Sequence, residues 1–285
     1  MTMKRILMIF LILAGGYILF TTVGNFFFSS NDSSKAAVTD KIDIIEFDIS
    51  SVGLTIIPEN RDDLETEFEG RGKVTVEQKG DTITVSHKRE WFAWFSFFNS
   101  SKLKVYIPED FNKEMVIDIG SGNVELSGDS PENPFKLNKL SLDLGSGNVK
   151  LNNLSVQEFS HDGSSGNLAV HSLNTNKSSI NISSGNVKIT ELIGELEADI
   201  SSGKLDVQMA ELKSPIKIDV SSGNVTLDLP DKADFTLDGD VGSGNISYDF
   251  PLTIEEQDRG DIKGSHGAGT HEIEIDVSSG NVKIQ

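Results

Sequence analysis

The chain has no cysteine. That absence removes disulfides, thiolate catalysis, lipid-modified cysteine and Cys-based metal sites together, and it leaves the redox compartment unaddressed. Amphipathic helical periodicity is missing beyond residue 28, so no glycine-rich stretch has the following helix that a phosphate-binding loop requires. There is no Gly-x-Ser-x-Gly elbow, and the many Ser-Gly pairs are accounted for by turn chemistry. The histidines, His87, His161, His171, His266 and His271, form neither a His-x-x-x-His pair nor a Cys-His cluster, so they read as loop histidines rather than metal ligands.

Positive charge is scarce: 25 Lys and Arg stand against 44 Asp and Glu, a net charge of −19. Residues 1–40 hold three bases and two acids, which leaves 22 bases (25 − 3) against 42 acids (44 − 2), or −20, in the rest. This balance argues against nucleic acid and anionic envelope polymers as partners, and it fits solubility and resistance to self-association.

Against these absences stands one long apolar run. Residues 6–28 carry no charge, and at ~1.5 Å per residue a helix of that length crosses a hydrocarbon core of roughly 30 Å. Lys4 and Arg5 precede it, so the expected topology is single-pass, with residues 1–5 a cytoplasmic stub and the main body outside the cytoplasm. The run exceeds the usual core of a cleaved signal peptide, and no small-x-small cleavage site follows closely. Residues 29–40 read as a polar tether.

Beyond the tether the pattern is β. Residues 73–77, 82–86 and 102–107 alternate apolar and polar residues, with Lys79-Gly80-Asp81 as a turn. From Ser121 onward a Ser-Gly-Asn tripeptide, once Ser-Gly-Lys, recurs at Gly122, Gly147, Gly166, Gly185, Gly203, Gly223, Gly244 and Gly280. Successive glycines are 25, 19, 19, 18, 20, 21 and 36 residues apart, a working period near 19 that marks stacked supersecondary units. Three residues before each Ser stand Asp118, Asp143, Asp162, Asn181, Asp199, Asp219, Asp240 and Asp276, mostly flanked by aliphatics, and each turn is followed by two inward aliphatics, as in Val124 and Leu126.

Each unit therefore reads as strand, bend, strand. The Gly of the bend is expected to take φ > 0, and the Asp before it to accept N–H bonds of the turn. The constant phase predicts an all-β fold, a parallel β-solenoid in which coils stack at ~4.8 Å, so that eight coils span roughly 40 Å. Stacked Asn side chains then form an amide ladder, interrupted where Ser202-Gly203-Lys204 departs from the Asn rule. Two regions are left open. Asp48 to Leu54 is a degenerate copy of the frame, so residues 41–115 are either the start of the solenoid, with a long insertion from Glu59 to Phe111, or a separate small β-domain beside 116–285. Residues 249–269 are either a degenerate coil or a loop over the open end, which needs cover because an unpaired face invites aggregation.

No cofactor, catalytic residue or metal site is expected. At ~4.8 Å in water neighbouring carboxylates of the aspartate column repel by about 0.9 kcal/mol, which is tolerable without a cation. The aromatic run Trp91, Phe92, Trp94, Phe95, Phe97 and Phe98 is either a contact with lipid or an envelope protein, or packing within a domain. The φ-Asp-φ-(Ser/Gly)-Ser-Gly-Asn-φ-x-φ unit behind one N-terminal membrane segment resembles the bacterial family labelled "putative adhesin". That resemblance implies a β-solenoid on the outer face of the membrane, a link to envelope stress and no established chemistry. The reading is a non-enzymatic interaction or scaffold module, with a polysaccharide-active enzyme or a cation-binding surface protein as alternatives.

Overall fold

A computed structural model describes residues 32–70, 72–88, 101–258 and 260–285. The predicted membrane segment 6–28 and the aromatic run 91–98 lie outside the described residues. Among those described, no helix is long and apolar enough to cross a membrane, and the secondary structure is entirely strand and turn. In chain order the strands are β1 (Asp32–Ala37), β2 (Ile44–Glu59), β3 (Asp63–Glu69), β4 (Lys73–Lys79), β5 (Thr82–Lys88), β6 (Lys102–Pro108), β7 (Glu114–Ser127), β8 (Phe135–Gly163), β9 (Asn167–Ile182) and β10 (Asn186–Ile200). There follow β11 (Lys204–Met209), β12 (Ile216–Val220), β13 (Asn224–Asp228), β14 (Phe235–Val241), β15 (Asn245–Tyr248), β16 (Thr253–Asp258), β17 (Asp261–His266), β18 (His271–Val277) and β19 (Asn281–Ile284).

The frame of the repeat sets the stacking. In β7 the residues Met115, Ile117 and Ile119 before the bend and Val124 and Leu126 after it are buried, and the residues between them face out. Period-two alternation on both strands of a coil puts every aliphatic on the inner side of the wrap, where each buried side chain contributes about 1.5–3 kcal/mol. Because all units share that frame, coils stack in parallel and in register. Asp118 lies opposite Asp143, Gly122 opposite Gly147 and Asn123 opposite Asn148; further along, Asn148 lies opposite Asn167 and Asn167 opposite Asn186. The expected parallel solenoid is thus the observed arrangement over the repeats.

The middle coils have a third side that the strand–bend–strand reading lacks. Asn153, Ser172 and Glu191 take left-handed φ of 53, 58 and 58°, and after each the chain turns onto a short segment that stacks Leu154 on Leu173 and Leu173 on Leu192. A second corner of this kind was hidden because three different residue types occupy it.

The N-terminal region belongs to the same stack. β2 pairs in parallel with β7, Asp48 opposite Asp118 and Gly53 opposite Asn123. On its other side β2 carries β5 along its first half and β6 along its second. β5 and β6 together make one further coil, in which residues 89–100 stand in the chain where other coils place the Ser-Gly-Asn bend. Antiparallel strands then close that end: β4 on β5, β3 on β6 and β1 on β3.

At the other end the chain order is not the stacking order. β18 lies between β12 and β14, and β19 between β13 and β15, all in parallel. The last repeat therefore inserts between the sixth and the seventh, and Gln285 lies inside the stack rather than at its open end. Gln285 N–H donates to the Leu227 carbonyl at 2.9 Å, and its own carbonyl accepts from Leu229 N–H at 2.8 Å. The first strand of the seventh repeat, β14, is covered by antiparallel β17, and β17 by antiparallel β16, while β15 pairs among the described residues with β19 alone. β16 is exposed throughout and reads Thr-Ile-Glu-Glu-Gln-Asp, and charge on an outer strand blocks edge-to-edge pairing. The described residues of 249–269 thus include an antiparallel strand pair, β16 and β17, laid on β14 rather than a further coil.

Candidate functional site

Tight stacking at the bend explains most of the glycines. Gly122 and Gly147 take φ of 143 and 132°, as expected, but the other six bend glycines do not occupy the left-handed region. There the requirement is space: a Cβ on Gly185 would lie 2.4 Å from the Gly166 carbonyl oxygen, on Gly203 2.4 Å from that of Gly185, and on Gly244 2.2 Å from that of Gly280. Glycine stacks on glycine from coil to coil. The bend N–H groups do not go to the aspartates, as expected from sequence, but to the coil below. Ser183 N–H donates to the Gly163 carbonyl, Ser184 N–H to that of Ser164 and Asn186 N–H to that of Gly166, at 2.8, 2.8 and 3.0 Å.

This stacking aligns the asparagines. Asn148 Nδ2 donates to Asn123 Oδ1 at 2.9 Å, Asn167 Nδ2 to Asn148 Oδ1 at 3.0 Å and Asn186 Nδ2 to Asn167 Oδ1 at 2.9 Å. Lys204 ends the run, as its departure from the Asn rule predicted, and pairs instead with Asp206 at 2.6 Å. The ladder resumes where Asn281 Nδ2 donates to Asn224 Oδ1 at 3.1 Å.

The ladder forms one wall of a cleft of about 780 Å³ that runs across the coils. The other wall is the next outward column, Lys104, Glu125, Lys150, Ala169, Lys188 and Asp206. Between the walls Val124, Val149, Leu168 and Val187 turn inward and are buried, so main chain forms the floor. Lys102 closes one end. Lysines outnumber acids here, four to two, in a chain of net charge −19. Lining up the second outward residue of each coil, with β6 included, is the signal in the sequence that exposes the cleft.

The aspartate column faces out on the preceding strand and lines neither this cleft nor a smaller one of about 200 Å³ beside Pro58 and Phe135. Partial burial, then the neighbouring charges of Asp143 and Asp48, push the Asp118 carboxyl above its ordinary range. Asp219 is likewise raised by burial, with Asp199 and Asp276 adding to it against the opposing pull of Lys217. One rung is relieved by an amide, Asn181 Nδ2 donating to Asp162 Oδ1 at 2.9 Å. Among the described residues no group of three or more His, Cys, Asp or Glu side chains is arranged to hold a metal ion.

The histidines are strand residues, not the loop residues expected. His87 and His161 are buried at 3 and 2% exposure, and His87 packs on Phe68 with ring centroids 5.4 Å apart. His171 Nδ1 lies 2.9 Å from Thr190 Oγ1. His266 packs against Phe250 at 5.1 Å, and His271 opens β18. They are dispersed over the stack and converge on no site.

A parallel β-solenoid with in-register glycine and asparagine columns, and with antiparallel strands at both ends, defines a class of extended repeat proteins whose faces, rather than a single deep pocket, are available for contact. The chain belongs to the Toastrack DUF4097 family, whose model matches residues 42–285. No curated protein matches it. Among solved structures it is similar to a "putative adhesin" from Bacteroides fragilis, at 15% identity over 90% of this chain and 97% of that one, with a TM-score of 0.49. It is also similar to a "putative adhesin" from Parabacteroides distasonis at 14% identity, with the same shares covered and a TM-score of 0.47. A "putative lipid binding protein" from Parabacteroides distasonis gives 14% identity, 90% and 97% coverage and a TM-score of 0.48. These likenesses lend this chain neither a ligand nor an activity.

Proposed function

We propose that this protein is a membrane-tethered, extracytoplasmic β-solenoid that serves as a non-enzymatic interaction module of the cell envelope. The observation that carries the reading is the ladder-walled cleft, a rigid repeated face without catalytic constellation. Its two acids, Glu125 and Asp206, stand four coils apart by register, or roughly 19 Å at ~4.8 Å per coil. Glycoside-cleaving carboxylate pairs need about 5–9.5 Å. A polysaccharide-active enzyme therefore has no support in this cleft.

The membrane anchor is the uncharged run 6–28 with Lys4 and Arg5 before it, joined to the solenoid by residues 29–40. That run, the aromatics Trp91 to Phe98 and the chain length resemble LiaG, a membrane-anchored protein of the Lia cell-envelope stress system, and on this resemblance the module is assigned to envelope stress. In this reading the aromatic run contacts lipid or an envelope protein.

The test exploits the absence of cysteine. Glu132→Cys, at an exposed position beside the smaller cleft, is expected to react with a membrane-impermeant maleimide in intact cells, whereas Thr2→Cys reacts only after permeabilisation. Labelling of Glu132→Cys only after permeabilisation would overturn the assignment.

A further inference from the structure

Resting on the interaction-module reading, we infer that the ladder-walled cleft binds a linear glycan that carries a carboxylate on every second sugar.

The first observation is charge. Lys102, Lys150 and Lys188 line the cleft and form no ion pair with described residues, whereas many other lysines of this acidic chain do, among them Lys113, Lys139, Lys177 and Lys217. Among the described residues Lys104 has only a long ion contact, to Glu67 at 3.9 Å, and Asp206 is already engaged by Lys204. Cations left unpaired on one face while acids are in excess elsewhere point to an anionic partner at that face. The net charge of the whole molecule argued against such partners, but that argument averages over distance. Salt screens exposed charges within about 10 Å at 0.1 M, so the lysines lining the cleft dominate there.

The second observation is spacing. Lys150 and Lys188 are two coils apart, with Ala169 between them in register, a separation of roughly 9.6 Å at ~4.8 Å per coil. One ring of a β-linked glycan is of the same order of length as one coil interval, so lysines two coils apart match carboxylates on alternate rings, and the Ala169 methyl leaves room for the ring between.

The third is hydrogen-bonding character. Each interior amide of the ladder, Asn148 and Asn167, spends one N–H and one carbonyl lone pair on its neighbours and keeps one donor and one acceptor free. A row that both donates and accepts suits hydroxyl groups. A polyphosphate chain offers acceptors alone and would leave the free amide lone pairs unmatched.

The experiment is calorimetry on the full-length chain in a polyoxyethylene detergent, with hyaluronan hexasaccharide (alternate-ring carboxylates), chitohexaose (neutral) and inorganic polyphosphate as probes. The expected result is at least tenfold tighter binding of hyaluronan hexasaccharide than of either other probe. Lys150→Gln with Lys188→Gln should remove its advantage over chitohexaose, and Ala169→Trp should abolish binding of both glycans, with circular dichroism unchanged in each variant. Absence of glycan binding, equal binding of polyphosphate or chitohexaose, or an advantage that survives the double lysine variant would each overturn the inference. Outside labelling of Glu132→Cys together with a failed titration would sink the ligand alone and leave the module reading standing.

Discussion

Asn281 donates its side-chain amide to Oδ1 of Asn224 at 3.1 Å across 57 positions of sequence, while Asn245, from the repeat that precedes it in the chain, stacks on its other side. The last coil is therefore a wedge inside the stack. In a solenoid each coil is held by its two neighbours, so a terminal coil can be lost with little effect on the rest, but an internal one cannot.

Deleting residues 271–285 should accordingly unfold far more than it removes. The segment buries Ile273, Ile275, Val277, Val282 and Ile284, and at about 1.5–3 kcal/mol each that is roughly 7–15 kcal/mol as an upper bound. It also separates β12 and β13 from β14 and β15. Hydrogen exchange is expected to show protection lost from β12 through β17 and retained in β7 to β9. Protection retained in β14 and β17 would show that the seventh repeat does not depend on the inserted one.

The break in the ladder is a second place to intervene. Lys204 lies opposite Asn186 on one side and Asn224 on the other, so Lys204→Asn offers the ladder two new amide bonds and gives up an exposed ion pair with Asp206. A neutral hydrogen bond contributes about 0.5–1.5 kcal/mol net and an exposed ion pair about 0–1 kcal/mol. Denaturant unfolding of the variant should shift to higher midpoint by roughly 1 kcal/mol. A shift to lower midpoint would mean that the Lys204–Asp206 pair outweighs amide continuity.

Stacked glycines should be less replaceable than free ones. Gly185→Ala places a methyl 2.4 Å from the Gly166 carbonyl oxygen, and neither main chain can move without opening the coil interval. Overpacking of this kind costs about 1–3 kcal/mol or more. Gly80→Ala is the control, since its φ of 65° is left-handed but nothing lies within 4 Å of the added carbon, so only the left-handed cost of roughly 1–2 kcal/mol applies. Thermal unfolding should rank the Gly185 variant below the Gly80 variant, and the reverse order would place the glycine requirement in backbone conformation rather than stacking.

What sequence could and could not show follows from how each feature is encoded. Parallel stacking, the amide ladder and its break at Lys204 were legible because they depend only on the phase of the Ser-Gly-Asn frame. The place of the last coil was not, because Asp276 to Asn281 carries the same frame as every other repeat and fits any neighbour equally well. The coil made by β5 and β6 was hidden because no Ser-Gly-Asn frame stands between the two strands in the sequence. The lysine wall escaped notice because Lys104, Lys150 and Lys188 are separated by 46 and 38 residues, and only the register makes them one column.

His161 gives the fold an acid-sensitive point. It occupies an inward position filled by Leu142 and Ile180 in the adjoining coils, is 2% exposed, and its Nδ1 has no hydrogen-bond partner among the described residues. A Cβ on Gly163 would meet its Nε2 at 2.7 Å, so the glycine supplies the space that the ring occupies. Burial lowers its pKa from 6.5 to about 4, against the opposing pull of the Leu142 carbonyl and Asp162. Because the folded value is the lower one, the neutral ring costs nothing above pH 6.5. The unfolded chain binds the proton first, and stability is lost as the pH falls from 6.5 through 4, by about 3 kcal/mol at the limit. The aspartates whose folded pKa is raised, Asp118, Asp219 and Asp240, act in the opposite sense, gaining relative stability as they protonate, but they are common to parent and variant and cancel in the difference. His161→Leu should therefore match the parent within about 1 kcal/mol at pH 8, by volume-conserving replacement in a core, and exceed its stability by a further 3 kcal/mol or so near pH 4. Urea unfolding at both pH values measures that difference, and a gap that does not widen on acidification would show that the imidazole is solvated or bonded in its charged form.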